Sequence, residues 1–188
     1  KVDKEVKKVE KKKVKKNSLD TSKNRLIKKH EKSINKIEFY NKAEIDSIDD
    51  MLLAAIKSIG GNKIIRNQGR GNCLFYTLSE HLKIDAKQLR EDSVMYIVLK
   101  WDRFKDFLLK SNTLKPYSSK EEYQNIMLQD GSWGDHISLL ALCELYQVNA
   151  DIVVTLNGKL SDPIKINVGS SHTIKIHFES EVHFQAIL

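Results

Sequence analysis

The hydrophobic period of this chain changes once, near Gln147, and that change sets the class of fold. Before it, apolar residues recur at three- and four-residue spacing; after it, they form short β-branched runs separated by Asn, Gly, Asp and Ser. Ile45, Ile48, Met51, Leu52, Ala55 and Ile56 predict an amphipathic helix that stops at Gly60-Gly61. Leu74, Leu78 and Leu82 predict a second, with Asn72 as its N-cap. Asp85 with Gln88 predicts a capped helix running to about residue 110, and Ser118 with Glu121 another to about residue 129. Asp135 opens a last helix, buried along Ile137, Leu140, Ala141 and Leu145. Residues 149–156, 173–178 and 182–188 then read as strands. Helices followed by strands give an α+β domain with a small, mainly antiparallel sheet.

A length of 188 residues fits one domain and an appendage, and the charge shows where the appendage lies. Residues 1–40 hold 15 Lys and Arg against 6 Asp and Glu, whereas residues 41–188 hold 17 against 19. The division expected is a Lys-rich arm, helical or disordered, over residues 1–42 and a folded body over 43–188. The basic excess belongs to the arm, which could take an anionic partner such as an acidic protein, a membrane surface or nucleic acid. Nucleic-acid binding is not expected of the body. Apolar stretches such as residues 51–56 fall far short of the roughly 20 residues that span a bilayer. Cys73 and Cys143 stand 70 positions apart with no metal-ligand spacing beside either, so neither a disulfide scaffold nor a zinc site is expected, and no metal or cofactor is implied.

Cys73 carries the chemical signal. It stands where a glycine-bearing loop becomes a helix, so unpaired N–H groups and the positive end of the helix dipole favour its thiolate. The backbone of Arg70, Gly71 and Asn72 could receive an oxyanion there, with Gly71 permitting close approach. A nucleophilic thiol needs an imidazole. His30 lies in the arm, His81 follows Cys73 on its own helix, His136 opens another, and His177 alternates with Ile174, Ile176 and Phe178 toward the outside of a strand. His183 keeps different company. Period-two alternation sets His183, Gln185 and Ile187 on one face, so Gln185 is its polar neighbour.

Three blocks carry a family resemblance. GRGNCLFYTLSEHL resembles the nucleophile motif of the ovarian tumour (OTU) cysteine proteases, commonly DGNCLFRAL; SWGDHISLLALCELYQVNADIVV resembles their Trp-Gly, helix and strand block; IHFESEVHFQAIL resembles their C-terminal His motif, commonly HYNS or HYDS. The blocks keep the family order over about residues 66–188. The resemblance implies a papain-like α+β deubiquitinase that cleaves isopeptide bonds at the ubiquitin C-terminus. Cys73 would be the nucleophile and His183 the general base and acid. It also sets Trp133 and Gly134 beside a channel for the ubiquitin tail, although packing is the plainer role for Trp133. Ubiquitin or its chains would be the partners and the cytoplasm the site of action, a host's cytosol if the source were a virus or intracellular bacterium. Two departures stand out: Arg70 where the family often has Asp, and Gln185 where it has Asn or Asp. Gln185 can accept from the imidazole N–H but brings no charge. A weakly active or inactive ubiquitin-binding module, and a protease for a ubiquitin-like modifier, remain the alternatives.

Overall fold

The computed structural model describes residues 42–180 and 182–188, with side chains from Asp50 onward. Residues 1–41, nearly all of the expected arm, lie outside the described residues. The chain divides into two compact units, residues 1–47 and 48–188. The second contains everything below apart from the first turns of α1 (Lys42–Ser58).

Helices come first. After α1 and the short β1 (Ile64–Ile65) come α2 (Cys73–Leu82), α3 (Ala86–Leu99), α4 (Trp101–Phe104), a 3-10 turn (Lys105–Phe107), α5 (Lys120–Met127) and α6 (His136–Tyr146). The strands follow: β2 (Asn149–Leu156), β3 (Lys159–Leu160), β4 (Ile164–Ile166), β5 (Thr173–Glu179) and β6 (His183–Ile187). The sheet runs β1-β6-β5-β2-β3, with β4 also pairing β2. Every pairing is antiparallel except β2 with β5, which is parallel from Asn149 opposite Thr173 to Thr155 opposite Glu179. The sheet is therefore mixed, with its one parallel pair at the centre.

Both faces of that centre are covered. Ala150, Ile152, Val154, Ile174, Ile176 and Phe184 meet α2, α3 and α6 in the main core. On the other side, Val153 and Ile187 pack against Leu52, Ala55 and Ile56 of α1. This is why IVV in β2 reads as an unbroken apolar run rather than an alternation. A second core among the helices joins Val94, Ile97, Phe104, Tyr123, Met127, Ile137 and Ala141.

Local signals held with specific shifts. Asp85 accepts from the N–H groups of Lys87 and Gln88, but the Gln88 side chain turns to Asp92 instead of closing a capping box. The helix expected to reach residue 110 breaks at Lys100, and after the 3-10 turn Leu108 is extended, with Leu109 bridged to Pro116. The α5 cap is Ser119 with Glu122, one residue later than expected, because Glu122 also accepts from Ser118. On α6, Leu139, Leu142 and Cys143 join Ile137 and Ala141 in the core, while Leu145 is exposed. Met51 is likewise exposed on α1.

Candidate active site

Cys73 is the first residue of α2 and is 5% exposed. The approach to it is tightly wound: Gly69, Arg70 and Gly71 all have positive φ, at 68°, 52° and 83°. At Gly71 no side chain could fit, because a Cβ would lie 1.9 Å from the carbonyl oxygen of Gly131. Asn72 occupies the N-cap position, yet its side chain makes no cap hydrogen bond. Its Oδ1 instead accepts from Arg90 Nη2 at 2.5 Å and from the Gly131 N–H at 3.4 Å, and its Nδ2 donates to Asp130 Oδ1 at 3.0 Å. A guanidinium is a stronger donor than a helix N–H, which explains the departure from the expected cap. The Asn72 N–H itself donates to Gly69 at 3.0 Å, so the backbone candidates for an oxyanion are Arg70, Gly71 and Cys73.

Arg90, not singled out by the sequence reading, organises this loop. It is 4% exposed and donates to Met127 O at 2.9 Å, to Gly71 O at 3.2 Å and to Asn72, with its guanidinium 4.3 Å from the Phe75 ring centroid. A signal was present: Arg90 shares the buried α3 face with Ser93, Val94 and Ile97, where a charge has no ordinary place. Asn67 ties the other side of the loop, donating to Phe184 O of β6 at 2.9 Å and accepting from the Gly69 N–H at 3.1 Å.

His183 opens β6 beside this loop. A side chain built at Gly69 would begin 3.3 Å from Cε1 of the His183 ring, and Cys73 Sγ lies 3.9 Å from the carbonyl oxygen of Val182, the residue before it. The fold thus brings the Cys73 loop and His183 together across more than 100 residues of chain. Gln185 lies two residues along the strand and is buried, with its Oε1 2.9 Å from His177 Nδ1. His177 is not on the outside of its strand: it is 3% exposed, because α1 covers the second face of the sheet. Its Nε2 lies 2.8 Å from Thr155 Oγ1. Burial pushes the His177 pKa down, so the ring is neutral at pH 7. In that state Nδ1–H donates to Gln185 and Nε2 accepts from the Thr155 hydroxyl.

The expected thiolate does not prevail at rest. Burial pushes the Cys73 thiol up, outweighing hydrogen bonds to the backbone and the Arg90 charge, which both act downward. A helix terminus supplies about 0.3–1 kcal/mol, less than one pKa unit, whereas burial can move a group by several units. Cys73 therefore needs a base to lose its proton. Cys143 is fully buried in the main core, where its thiol is pushed up to about 12 by burial and by the Glu144 charge.

A cleft of about 480 Å³ lies near this site, lined in part by Val182 and Phe184, the sequence neighbours of His183, and by Trp133, Gly134 and His136. Its walls are apolar, including Leu108, Tyr123 and Phe178. Trp133 is 39% exposed on this wall, while Gly134 has a packing reason: a Cβ there would come 2.9 Å from both Leu74 and Phe75 of α2. A larger open hollow between residues 98–103 and 118–121 contains neither thiol nor imidazole. Among the described residues no group of three His, Cys, Asp or Glu is placed to hold a metal ion, and no helix is long and apolar enough to cross a membrane.

Residues 68–184 match the family model described as OTU-like cysteine protease. A putative ubiquitin thioesterase (L96) of Tipula iridescent virus is 26% identical over 139 residues, covering 68% of this chain and 16% of the viral protein. The matched stretch spans less than half the length of each of the curated relatives compared. Among solved structures, the OTU domain of OTUD1 superposes with a TM-score of 0.62 at 20% identity, covering 78% of this chain and 97% of that one. An OTU deubiquitinase of Wolbachia pipientis wMel bound to ubiquitin gives a TM-score of 0.53 at 18% identity, covering 67% and 94%.

Proposed function

This chain belongs to the OTU-like cysteine protease family, and we infer from that and from its cleft that it is a thiol-dependent deubiquitinase. The observation that carries the reading is the thiol of Cys73, the first residue of a buried helix, set against the backbone of Val182 and behind a loop whose Gly69 meets the His183 ring. A relative named as a ubiquitin thioesterase and a structural neighbour bound to ubiquitin supply the substrate. In the cleavage cycle His183 takes the Cys73 proton and the thiolate attacks the isopeptide carbonyl. The oxyanion meets N–H groups of the loop before α2 and of Cys73 itself. The C–N bond breaks as His183 returns the proton to the leaving lysine amine, and water then releases the ubiquitin carboxylate from the thioester. Gln185, the neighbour expected to support His183, has its Oε1 engaged by His177 and brings no charge to the site. Trp133 and Gly134 form the wall along which an extended ubiquitin tail lies.

The same reading takes residues 43–188 as the catalytic domain and the cytosol as its place of action, where ubiquitin conjugates are met. The positive charge of residues 1–42 supports a separate recruiting role toward an anionic partner.

A second reading, a ubiquitin-binding module with weak turnover, is favoured by one pair of observations: the raised Cys73 thiol and the uncharged Gln185. One experiment separates the two. Ubiquitin bearing a C-terminal thiol-reactive warhead is incubated with the native protein and with Cys73→Ala, and intact mass is read. An adduct on the native protein alone is expected. Binding without an adduct supports the module, and an adduct that persists on Cys73→Ala rejects Cys73 as the nucleophile.

A further inference from the structure

Strand register sets a carboxylate opposite His183. In the antiparallel pair of β5 and β6, Glu179 faces His183 and His177 faces Gln185. Residues so opposed project to the same side, with Cβ atoms about 5 Å apart. The contact between His177 and Gln185 identifies the side as the one turned away from the main core, and two residues along each strand Glu179 and His183 stand on it together. Both are half-buried, so their interaction is only partly screened by water. The Glu179 charge also reaches His177, where it favours the protonated ring.

Gln185 is less suited to the task. Its oxygen already takes the His177 proton, and the remaining end of the amide is an N–H2 donor, the wrong polarity to meet a second imidazole N–H. An imidazolium formed during attack gains more from a carboxylate than from a neutral amide.

The other ionisable groups around this block are engaged or turned outward. On β5, Lys175 Nζ donates to Gly60 O at 2.7 Å; on β2, Asp151 pairs with Lys165 at 3.8 Å. Asp50 and Lys57 of α1, and Arg66 and Arg70 of the loop before α2, are exposed. On α2, Cys73 Sγ lies 3.9 Å from Val182 O, and His81 Nε2 is engaged 2.8 Å from Lys175 O of β5. Glu181 precedes His183 by two residues in the sequence and serves as the control below.

Resting on the cysteine-protease reading, we propose that Glu179 is the positioning residue for His183, supplying across the sheet the negative charge that Gln185 lacks. The proton that leaves Cys73 Sγ resides on His183 while the thiolate attacks. The Glu179 carboxylate stabilises that imidazolium and orients the ring, until the proton passes to the leaving amine. No proton is transferred to Glu179.

Three readouts test this, two of them independent of any ubiquitin chemistry. The His183 ring is titrated by NMR in the native protein, Glu179→Gln, Glu179→Asp and Glu181→Gln, and alkylation of Cys73 by iodoacetamide is followed over the same pH range. Glu179→Gln is expected to move the His183 titration and the alkylation profile to lower pH, with Glu179→Asp retaining part of the effect and Glu181→Gln leaving both in place. With a ubiquitin C-terminal fluorogenic amide, kcat should fall about tenfold in Glu179→Gln, the factor that one pKa unit of imidazolium stability carries, with KM unchanged. An unchanged His183 titration in Glu179→Gln, or a shift produced by Glu181→Gln instead, overturns the proposal. A native protein inactive on the ubiquitin amide whose His183 titration still depends on Glu179 rejects the deubiquitinase reading and leaves this one standing.

Discussion

The cysteine side and the histidine side of the cleft are held by different means. The loop before Cys73 has three consecutive residues at positive φ, and it keeps that shape because a buried guanidinium binds Gly71 O, the Asn72 side chain and Met127 O at once. The backbone of His183 is positioned by the ladder of β6 against β5, continued beneath it by Phe184 stacked on Phe178 at 4.4 Å. One side is fixed by a few charge-assisted contacts whose loss cannot be shared, the other by a register distributed over many backbone hydrogen bonds. A single substitution should therefore damage the first more than the second.

Arg90→Met is the sharpest way to break that contrast, because it keeps the length of the side chain and removes every donor. Gly71 O and Met127 O lose their partner, and Asp130 loses a nearby positive charge. Removing one member of a buried charged network costs about 3–5 kcal/mol, which for a domain of this size is a fall in Tm of roughly 6–20 °C. Calorimetry measures that loss, and kcat on a ubiquitin amide should fall with it as the oxyanion loop relaxes. Arg90→Lys should restore little, since one ammonium cannot span three acceptors. If Arg90→Met instead melts within about 1 kcal/mol of the native protein, the loop is held by Asn67 and the Gly131 contact, and the two sides are alike.

A smaller effect is expected where the contrast concerns proton supply. In His183→Ala the ladder persists, but Cys73 keeps a thiol that burial holds above the ordinary value. Iodoacetamide should then alkylate it with a half-maximal rate only above that ordinary thiol pH, with the profile of a lone buried group. In the native protein the rate should already rise nearer neutrality. An identical profile in both would mean that the helix terminus and Arg90 activate Cys73 without His183.

Cys73 and His183 were legible as candidates because each lies in a local pattern: Cys73 at a loop-to-helix junction, His183 in a strict alternation. The sequence also exposed the order of helices and strands, since hydrophobic period is local. Arg90 stayed hidden because its acceptors are supplied by the loop before α2 and by the end of α5, and no local period records that meeting. His177 was misassigned to the outside because alternation identifies two faces without saying whether either is bare. Here α1 buries the second. Glu179 was passed over for the same reason that Gln185 was chosen: proximity along one strand is visible in the sequence, proximity across strands requires the register.

The buried His177 adds a weaker test on the histidine side. Its folded pKa is depressed, so below the unfolded value near 6.5 the unfolded chain binds more protons than the native one, and stability falls as pH falls toward the folded value. His177→Gln should flatten that dependence below about pH 6.5, and thermal melts across the window measure it. An unchanged slope would assign the acid sensitivity to His81, which burial depresses in the same direction.

Arg70 should matter least, and the result still discriminates. Its side chain is exposed, while its φ of 52° lies where Asn is tolerated better than most residues. Arg70→Asn should change stability by less than about 0.5 kcal/mol. If KM and kcat on the ubiquitin amide both stay within twofold, the position contributes through its backbone, as the loop geometry expects. A rise in KM at constant kcat would mark the guanidinium as a substrate contact and extend the working surface of the cysteine side beyond the cleft.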